Sequence, residues 1–367
     1  MTSRKGAPVR RVLPSSTSRQ RAIRWARRDP RLVRQLGRLR HQARAADRRK
    51  HRVHEGWSDA NGCGRSSALA WPARDTTRCV RIAVLGPGGV GGLVATLLAA
   101  AGHDVVVLAR ASTAAHIAQH GLHLTSDRFG AVTARPQAAE QLSDPVDAVI
   151  VTTKATTLLD ALTRLPPDRV GSAVVLPLLN GVEHMALLRE RYPYASVVAG
   201  AIRVVAARTA PGQIVQSGDM VAVQVAPGAH DLVAALQAAG LAVVTRTDEA
   251  GLLWDKMCFL APVALLTSSA AAPLGVVRDQ RGDELRSLVE EVAQVARADG
   301  AEADADDVWV FIQDVPAGMT SSMQRDAAAG RPTELDAIGG AVLRAAERHG
   351  VDVPVTRRIV RELSARS

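Results

Sequence analysis

Between residues 81 and 205 the chain alternates short, unbroken apolar runs with stretches of helical spacing. Arg81-Ile82-Ala83-Val84-Leu85 and Val105-Val106-Val107-Leu108 are the first two runs, and others lie at 146–152, 173–178 and 197–205. A short apolar run without polar alternation fits a strand covered on both faces, which is the usual state of a parallel strand. Residues 93–101 carry a helical pattern between the first two runs, and Gly102 closes it as a C-cap. Strand, helix and strand in that order make a βαβ unit. The strand signal weakens from about Ala222 and returns at 242–245. Helical periodicity then takes over at 285–298, 308–315 and 335–349, with a final helix after Pro354. The pattern predicts an α/β domain over residues 80–247, followed by an all-α domain over 248–367, with no internal repeat.

The run 257–277 contains no charge and is long enough to span a bilayer. Pro262, Pro273 and Thr267-Ser268-Ser269 interrupt it, and Asp255 and Lys256 stand at its mouth. A buried helix followed by a turn is therefore expected, not a membrane span.

At 367 residues and 47% hydrophobic content, the chain can bury one or two full cores. Its formal charge of +10 suggests a polyanionic partner until the sequence is divided at residue 79. Residues 1–79 hold 19 Arg and 2 Lys against 5 acidic residues, a net of +16, whereas the remainder has 25 basic against 31 acidic, a net of −6. The first segment predicts a basic, mostly disordered extension with at most a marginal helix near residues 19–46. Val80-Arg81-Ile82-Ala83-Val84-Leu85-Gly86 also reads as a natural N-terminus initiated at a GTG codon for Val80, so residues 1–79 are a candidate mis-assigned start. Peptides of the native protein mapping upstream of Val80 would refute that reading. Arg10-Arg11 is not followed by an apolar region, so no export signal is expected and the body should be cytoplasmic. Cys63, Cys79 and Cys258 are too few and too scattered for a disulfide framework or a metal site.

Gly86-Pro87-Gly88-Gly89-Val90-Gly91-Gly92 joins the first strand to its helix. Gly86 suits the tight turn, Gly88 the close approach of backbone to a pyrophosphate, and Gly91 the packing of helix on strand, which together predict a Rossmann-type dinucleotide site. Beyond the second strand stands Arg110, where an acidic residue would hydrogen-bond the ribose of NAD. A guanidinium favours a 2′-phosphate, so NADP(H) is the expected cofactor. Loops after two later strands begin at Thr153-Lys154 and Leu179-Asn180-Gly181, at the carboxyl ends where such sheets bind ligands. Lys154 and Asn180 thus fall where cofactor and substrate should meet.

From Arg81 onward arginine is the default cation, and lysine occurs only at Lys154 and Lys256. Burial can shift an ammonium until it serves as a proton donor, which a guanidinium does not do. Both lysines are therefore candidates for chemistry.

Three strings in the second half carry a resemblance. They are Glu249-Ala250-Gly251-Leu252-Leu253-Trp254-Asp255-Lys256, Thr320-Ser321-Ser322-Met323-Gln324-Arg325-Asp326 and Arg331-Pro332-Thr333-Glu334-Leu335-Asp336. In this order behind the glycine turn, the chain resembles the ketopantoate reductase (2-dehydropantoate 2-reductase) family over residues 80–367. The resemblance implies NADPH-dependent reduction of 2-dehydropantoate to pantoate, in pantothenate and coenzyme A biosynthesis. It implies that Lys256 is the general acid and that Glu334 holds that lysine or the substrate hydroxyl. Ser322 would bind the substrate carboxylate, Asn180 would contact the nicotinamide ribose and the substrate, and Lys154 would line the cofactor cleft. The helical domain would carry the substrate and any homodimer contact, with no membrane partner. Reducing a 2-keto acid does require a proton-bearing cation at the developing alkoxide and donors for the carboxylate.

One departure stands out: Leu260 and Ala264 occupy positions where the family usually has two asparagines. An apolar wall there suits a bulkier or more apolar 2-keto acid, so a paralogous reductase of another substrate is the alternative. A reading of another class is a cofactor-sensing regulatory protein whose basic arm binds nucleic acid. An aromatic content of 3% argues against base-stacking platforms.

Overall fold

A computed structural model describes residues 79–366. The expectations for the basic extension, its marginal helix and Cys63 lie outside the described residues. The fold set out below is that of the compact unit formed by the described residues 79–308 and 315–366; residues 309–314, the end of the helix that begins at Ala305, fall outside that unit.

In chain order the first half comprises β1 (Arg81–Leu85), α1 (Gly89–Ala100), β2 (Asp104–Leu108), α2 (Ala111–His120), β3 (Leu122–Ser126), β4 (Gly130–Ala134) and β5 (Gln137–Ala139). It continues through β6 (Ala148–Val151), α3 (Leu158–Leu162), α4 (Pro167–Val170), β7 (Val174–Pro177), α5 (His184–Arg191) and β8 (Ser196–Val197). Then come β9 (Gly200–Ala210), β10 (Gln213–Val225), α6 (His230–Ala238) and β11 (Ala242–Thr245).

Six of these strands form a parallel sheet in the order β5-β2-β1-β6-β7-β8. Chain direction outward from β1 reverses between β1 and β6, the arrangement of a doubly wound Rossmann-type sheet. The apolar runs explain it. Ile82 and Val84 enter one core cluster with Val105, Val107 and Ile150. Ala83 and Leu85 enter the opposite one with Val106, Leu108 and Val149. Both faces are covered, so no polar alternation is needed. Helix α1 ends in a Schellman motif, with the Gly102 and His103 amides donating to Ala99 and Leu98 at 3.1 and 3.2 Å. Gly102 takes the left-handed φ of +91° that this motif requires.

A second sheet, ordered β11-β10-β3-β4 with β9 also on β10, covers α1 from the other side. The sequence pattern did not announce most of it. Residues 197–205 read as one strand but are divided between β8 and β9. The β9–β10 hairpin exposes most of its outer residues, so it shows no continuous apolar run.

The second half is helical: α7 (Glu249–Ala270), α8 (Leu274–Gln280), α9 (Gly282–Ala298), α10 (Ala305–Asp314), α11 (Ser322–Ala328), a π-helical turn (Asp336–Gly340), α12 (Ala341–His349) and α13 (Pro354–Ser364). Helix α7 is its axis. The Asp248 carboxylate caps it, accepting from the Gly251 amide at 2.8 Å. Pro262, expected to interrupt the run, lies inside α7, and Pro273 instead precedes α8. The ring forfeits one backbone bond, and the packing of 15 buried residues along the helix holds it regular. By length and mean hydropathy, 1.4, α7 could cross a membrane, yet 72% of its apolar window is buried within the protein.

Candidate active site

The crevice at the sheet's reversal point is bounded by the loops after β1 and β6. Gly86 has φ +89°, and a Cβ there would stand 2.7 Å from the Thr153 methyl. A Cβ on Gly91 would meet both the Gly86 carbonyl and Thr152 Oγ1 at 2.3 Å. The Thr152 hydroxyl lies 2.8 and 2.9 Å from the Leu85 and Gly86 carbonyls, tying the two loops together. Gly88 differs: no heavy atom lies within 4 Å of where its Cβ would be. Backbone is therefore open to an incoming group at the start of α1, where amide groups and helix dipole favour an anion. These residues fit a dinucleotide pyrophosphate. Arg110 is exposed at the N-cap of α2, just past β2, and makes no ion pair among the described residues.

Beyond β6 and β7 the two halves meet around Glu334. This carboxylate is buried, and its two oxygens accept from the Ala155 amide at 3.1 Å and from Asn180 Nδ2 at 2.8 Å. Glu334 lies two residues before the π-helical turn, against which Gly181 packs so closely that a Cβ would sit 2.8 Å from the Ala337 carbonyl. Such turns recur at functional sites because they re-aim a helix locally.

Lys256, in the second turn of α7, points toward the same loop and donates to the Leu179 carbonyl at 3.5 Å. Burial lowers its pKa to about 8, the Glu334 charge opposes that fall, and the Arg203 charge adds to it. Arg203 and Arg246 both hold Asp255, the residue before Lys256, at 3.1 and 3.2 Å. Lys154 lies elsewhere in the crevice and is ion-paired to Asp326 at 2.6 Å, with Arg331 on the other carboxylate oxygen at 2.9 Å.

Glu334 is hydrogen-bonded to Asn180 and the Ala155 amide, and it bears on Lys256 through its charge. Ser322 is exposed at the first position of α11; its neighbour Ser321 is the N-cap, buried against Thr267 at 2.9 Å. Leu260 is partly exposed and Ala264 fully buried on α7. Sequence reasoning missed Asp326, whose partner is 172 residues away, and His184, a buried histidine whose titration feels Lys256. Asp326 stood in a quoted string without a role; nothing local marked His184. No cluster of three or more metal-ligating side chains occurs among the described residues.

The family description Ketopantoate reductase PanE/ApbA matches residues 82–230, and its C-terminal counterpart matches residues 250–367. A 2-dehydropantoate 2-reductase of Caulobacter vibrioides is 33% identical, covering 77% of this chain and 98% of the relative. The chain belongs to the ketopantoate reductase family. The Mycobacterium tuberculosis 2-dehydropantoate 2-reductase is 31% identical, with 78% and 97% of the two chains covered. Among solved structures, a PanE/ApbA family ketopantoate reductase from Ralstonia eutropha JMP134 superposes with a TM-score of 0.72 at 28% identity, covering 78% of this chain and 98% of that one. A D-mandelate dehydrogenase solved with NADH and anilino(oxo)acetate shares the fold, with a TM-score of 0.72 and 23% identity over 78% and 98% of the two chains. As a ketopantoate reductase family member the chain is an oxidoreductase acting on a CH–OH group with a nicotinamide cofactor.

Proposed function

We propose that this family member reduces 2-dehydropantoate to pantoate with NADPH, and that Lys256 is the general acid. The observation that carries the reading is the buried Lys256 ammonium, donating to the Leu179 carbonyl at the head of the Asn180 loop, its pKa lowered to about 8 by burial against the opposing Glu334 charge. Such a group is protonated at neutral pH yet able to release its proton. In the proposed cycle Lys256 gives its proton to the ketone oxygen as the alkoxide develops, and recovers one from water after product release. Glu334 fixes the Asn180 amide through one oxygen, so Asn180 can reach substrate or ribose in a set orientation. The Ser322 hydroxyl is assigned to the carboxylate. NADPH supplies the hydride when bound. Gly86, Gly88, Gly91 and Lys154 are assigned to its cleft, and Arg110 to its 2′-phosphate. The helical segment 248–367 is proposed as the substrate domain and 80–247 as the cofactor domain, in a cytoplasmic enzyme.

Leu260 and Ala264 favour a second substrate reading, because one turn and two turns beyond Lys256 the helix offers no side-chain donor. A larger or more apolar 2-keto acid would lose nothing there. The test is NADPH oxidation with 2-dehydropantoate and a panel of aliphatic and aromatic 2-keto acids. Turnover of 2-dehydropantoate at the highest kcat/KM upholds the first reading. Preference for another acid moves the function to the second, and no turnover of any removes both.

A further inference from the structure

Helix α7 is pinned to the α/β half by a carboxylate one residue before Lys256. Asp255 Oδ2 accepts from Arg203 Nη2 at 3.1 Å and from Arg246 Nη1 at 3.2 Å. Arg203 stands on β9 and Arg246 directly follows β11, so both cations come from the strands and the anion from the helix. Arg246 also reaches Asp248, the N-cap of α7, at 3.6 Å. Asp248 and Asp255 are two helical turns apart, so they share the face of α7 docked on the strands. Lys256 is the next residue. It stands about 100° further round the helix, where it donates to the Leu179 carbonyl beyond β7.

The cluster does two things at once. A part-buried carboxylate gripped by two guanidiniums fixes the turn that carries the lysine. Its charge also cancels one of the two cations, leaving a single net positive charge beside the ammonium. Arg203 is among the charges that lower the Lys256 pKa. The other groups around α7 are accounted for. Glu334, which opposes that fall, is engaged by Asn180 and the Ala155 amide, and His184 is uncharged near pH 8 because burial and the Lys256 charge hold its pKa at about 4. On the packed elements, Asp326 holds Lys154 and Arg331, Asp336 holds Arg344, Asp299 accepts from Trp254, Glu291 accepts from the α13 amides, and Arg281 binds Glu284. Asp255 is thus the carboxylate that balances Arg203.

We propose that Asp255 is a positioning residue for the proton donor: clamped between Arg203 and Arg246, it fixes the turn of α7 that bears Lys256 and offsets the positive charge gathered beside it. This rests on the reductase reading and deepens it. A negative charge at 255 favours the charged form of its neighbour, so it keeps Lys256 protonated further into the alkaline range.

The test follows the charge of the cluster through the wild type, Asp255→Asn, Arg203→Met and the double variant. The Lys256 titration is read directly by NMR of the full chain isotope-labelled at lysine Cε, its signal among the four lysines identified by its loss in Lys256→Ala. The alkaline limb of kcat/KM is read beside it. Asp255→Asn leaves both cations unbalanced, so the lysine pKa and the limb should fall by about half a unit, the scale of one partly screened charge at this range. Arg203→Met removes a repulsion and should raise both by about as much. The double variant restores the single net positive charge, so its titration should return close to that of the wild type. Structural damage would accumulate in the double variant instead of cancelling. An Asp255→Asn titration that does not fall overturns the proposal, as does a double variant displaced further than either single one. If Asp255→Asn does not fold, Arg203→Met decides alone, and a lysine pKa that does not rise refutes the role. Failure of the underlying reading is separate, because it appears as undiminished activity in Lys256→Ala, whatever the NMR titration gives.

Discussion

The two lysines of the described body stand in one crevice and are treated oppositely. Lys154 is satisfied: a carboxylate 2.6 Å away matches its charge, and that carboxylate is itself held by Arg331. Lys256 is left under tension, with one distant carbonyl, an arginine whose charge repels it and a carboxylate whose charge alone favours it. A paired ammonium anchors two segments. One deprived of partners gives up its proton. The difference lies in the surroundings, since both side chains are the same.

The largest test of that contrast is to remove each lysine in turn. Lys256→Ala should lower kcat by roughly 10²- to 10⁴-fold, the usual contribution of a general acid, with little change in NADPH affinity. Equal loss in Lys154→Met would erase the distinction. The pH profile sharpens it. Only protonated Lys256 can serve as the acid, so kcat/KM for reduction should be level below the lysine's pKa and fall as pH rises through about 8. Lys256→Arg should be slow at every pH but without that fall, because guanidinium stays protonated. An alkaline limb unchanged in Lys256→Arg would assign the titration to another group.

On the cofactor side, Gly91→Val introduces atoms where even a Cβ meets two oxygens at 2.3 Å. Overpacking of this kind costs about 1–3 kcal/mol, and here it should separate the loops that frame the pyrophosphate site. Thermal denaturation should show the loss, and NADPH titration a weakened affinity. Unaltered NADPH binding would show that the turn is merely structural. Glu334→Gln comes next in size. It deletes the charge that keeps the Lys256 pKa from falling further, so the alkaline limb should move to lower pH. A limb moving upward would mean that Glu334 does not act on Lys256.

How much of this was legible depends on how each feature is encoded. The strands β1, β2, β6 and β7 were visible because burial on both faces writes an unbroken apolar run. The glycine turn was visible because each glycine answers a separate steric need. The β9–β10 hairpin was not, since its exposed outer positions carry Arg, Thr, Gln and Ser between the apolar ones. At the site, Lys256, Asn180 and Glu334 were nameable from strings of residues, and the structure adds that Asn180 and Glu334 bond to each other across 154 positions. His184 escaped notice because its burial is set by tertiary packing. Asp326 escaped because its lysine lies 172 positions away in sequence.

The smallest effect belongs to the Lys154 pair. With 41% of the lysine side chain exposed and 10% of the aspartate, solvent screens the attraction from one side. Exposed ion pairs are worth about 0–1 kcal/mol, and Arg331 remains on Asp326 when Lys154 is removed. Lys154→Met should therefore cost no more than about 1 kcal/mol of stability, with the cost shrinking as salt is raised. Asp326→Asn should cost more, because it takes the partner from both cations at once. Denaturant unfolding of the two variants at low and high salt measures the difference. A salt-independent loss of several kcal/mol in Lys154→Met would show this ammonium to be as dependent on burial as Lys256, and the contrast between the two would fail at its paired end.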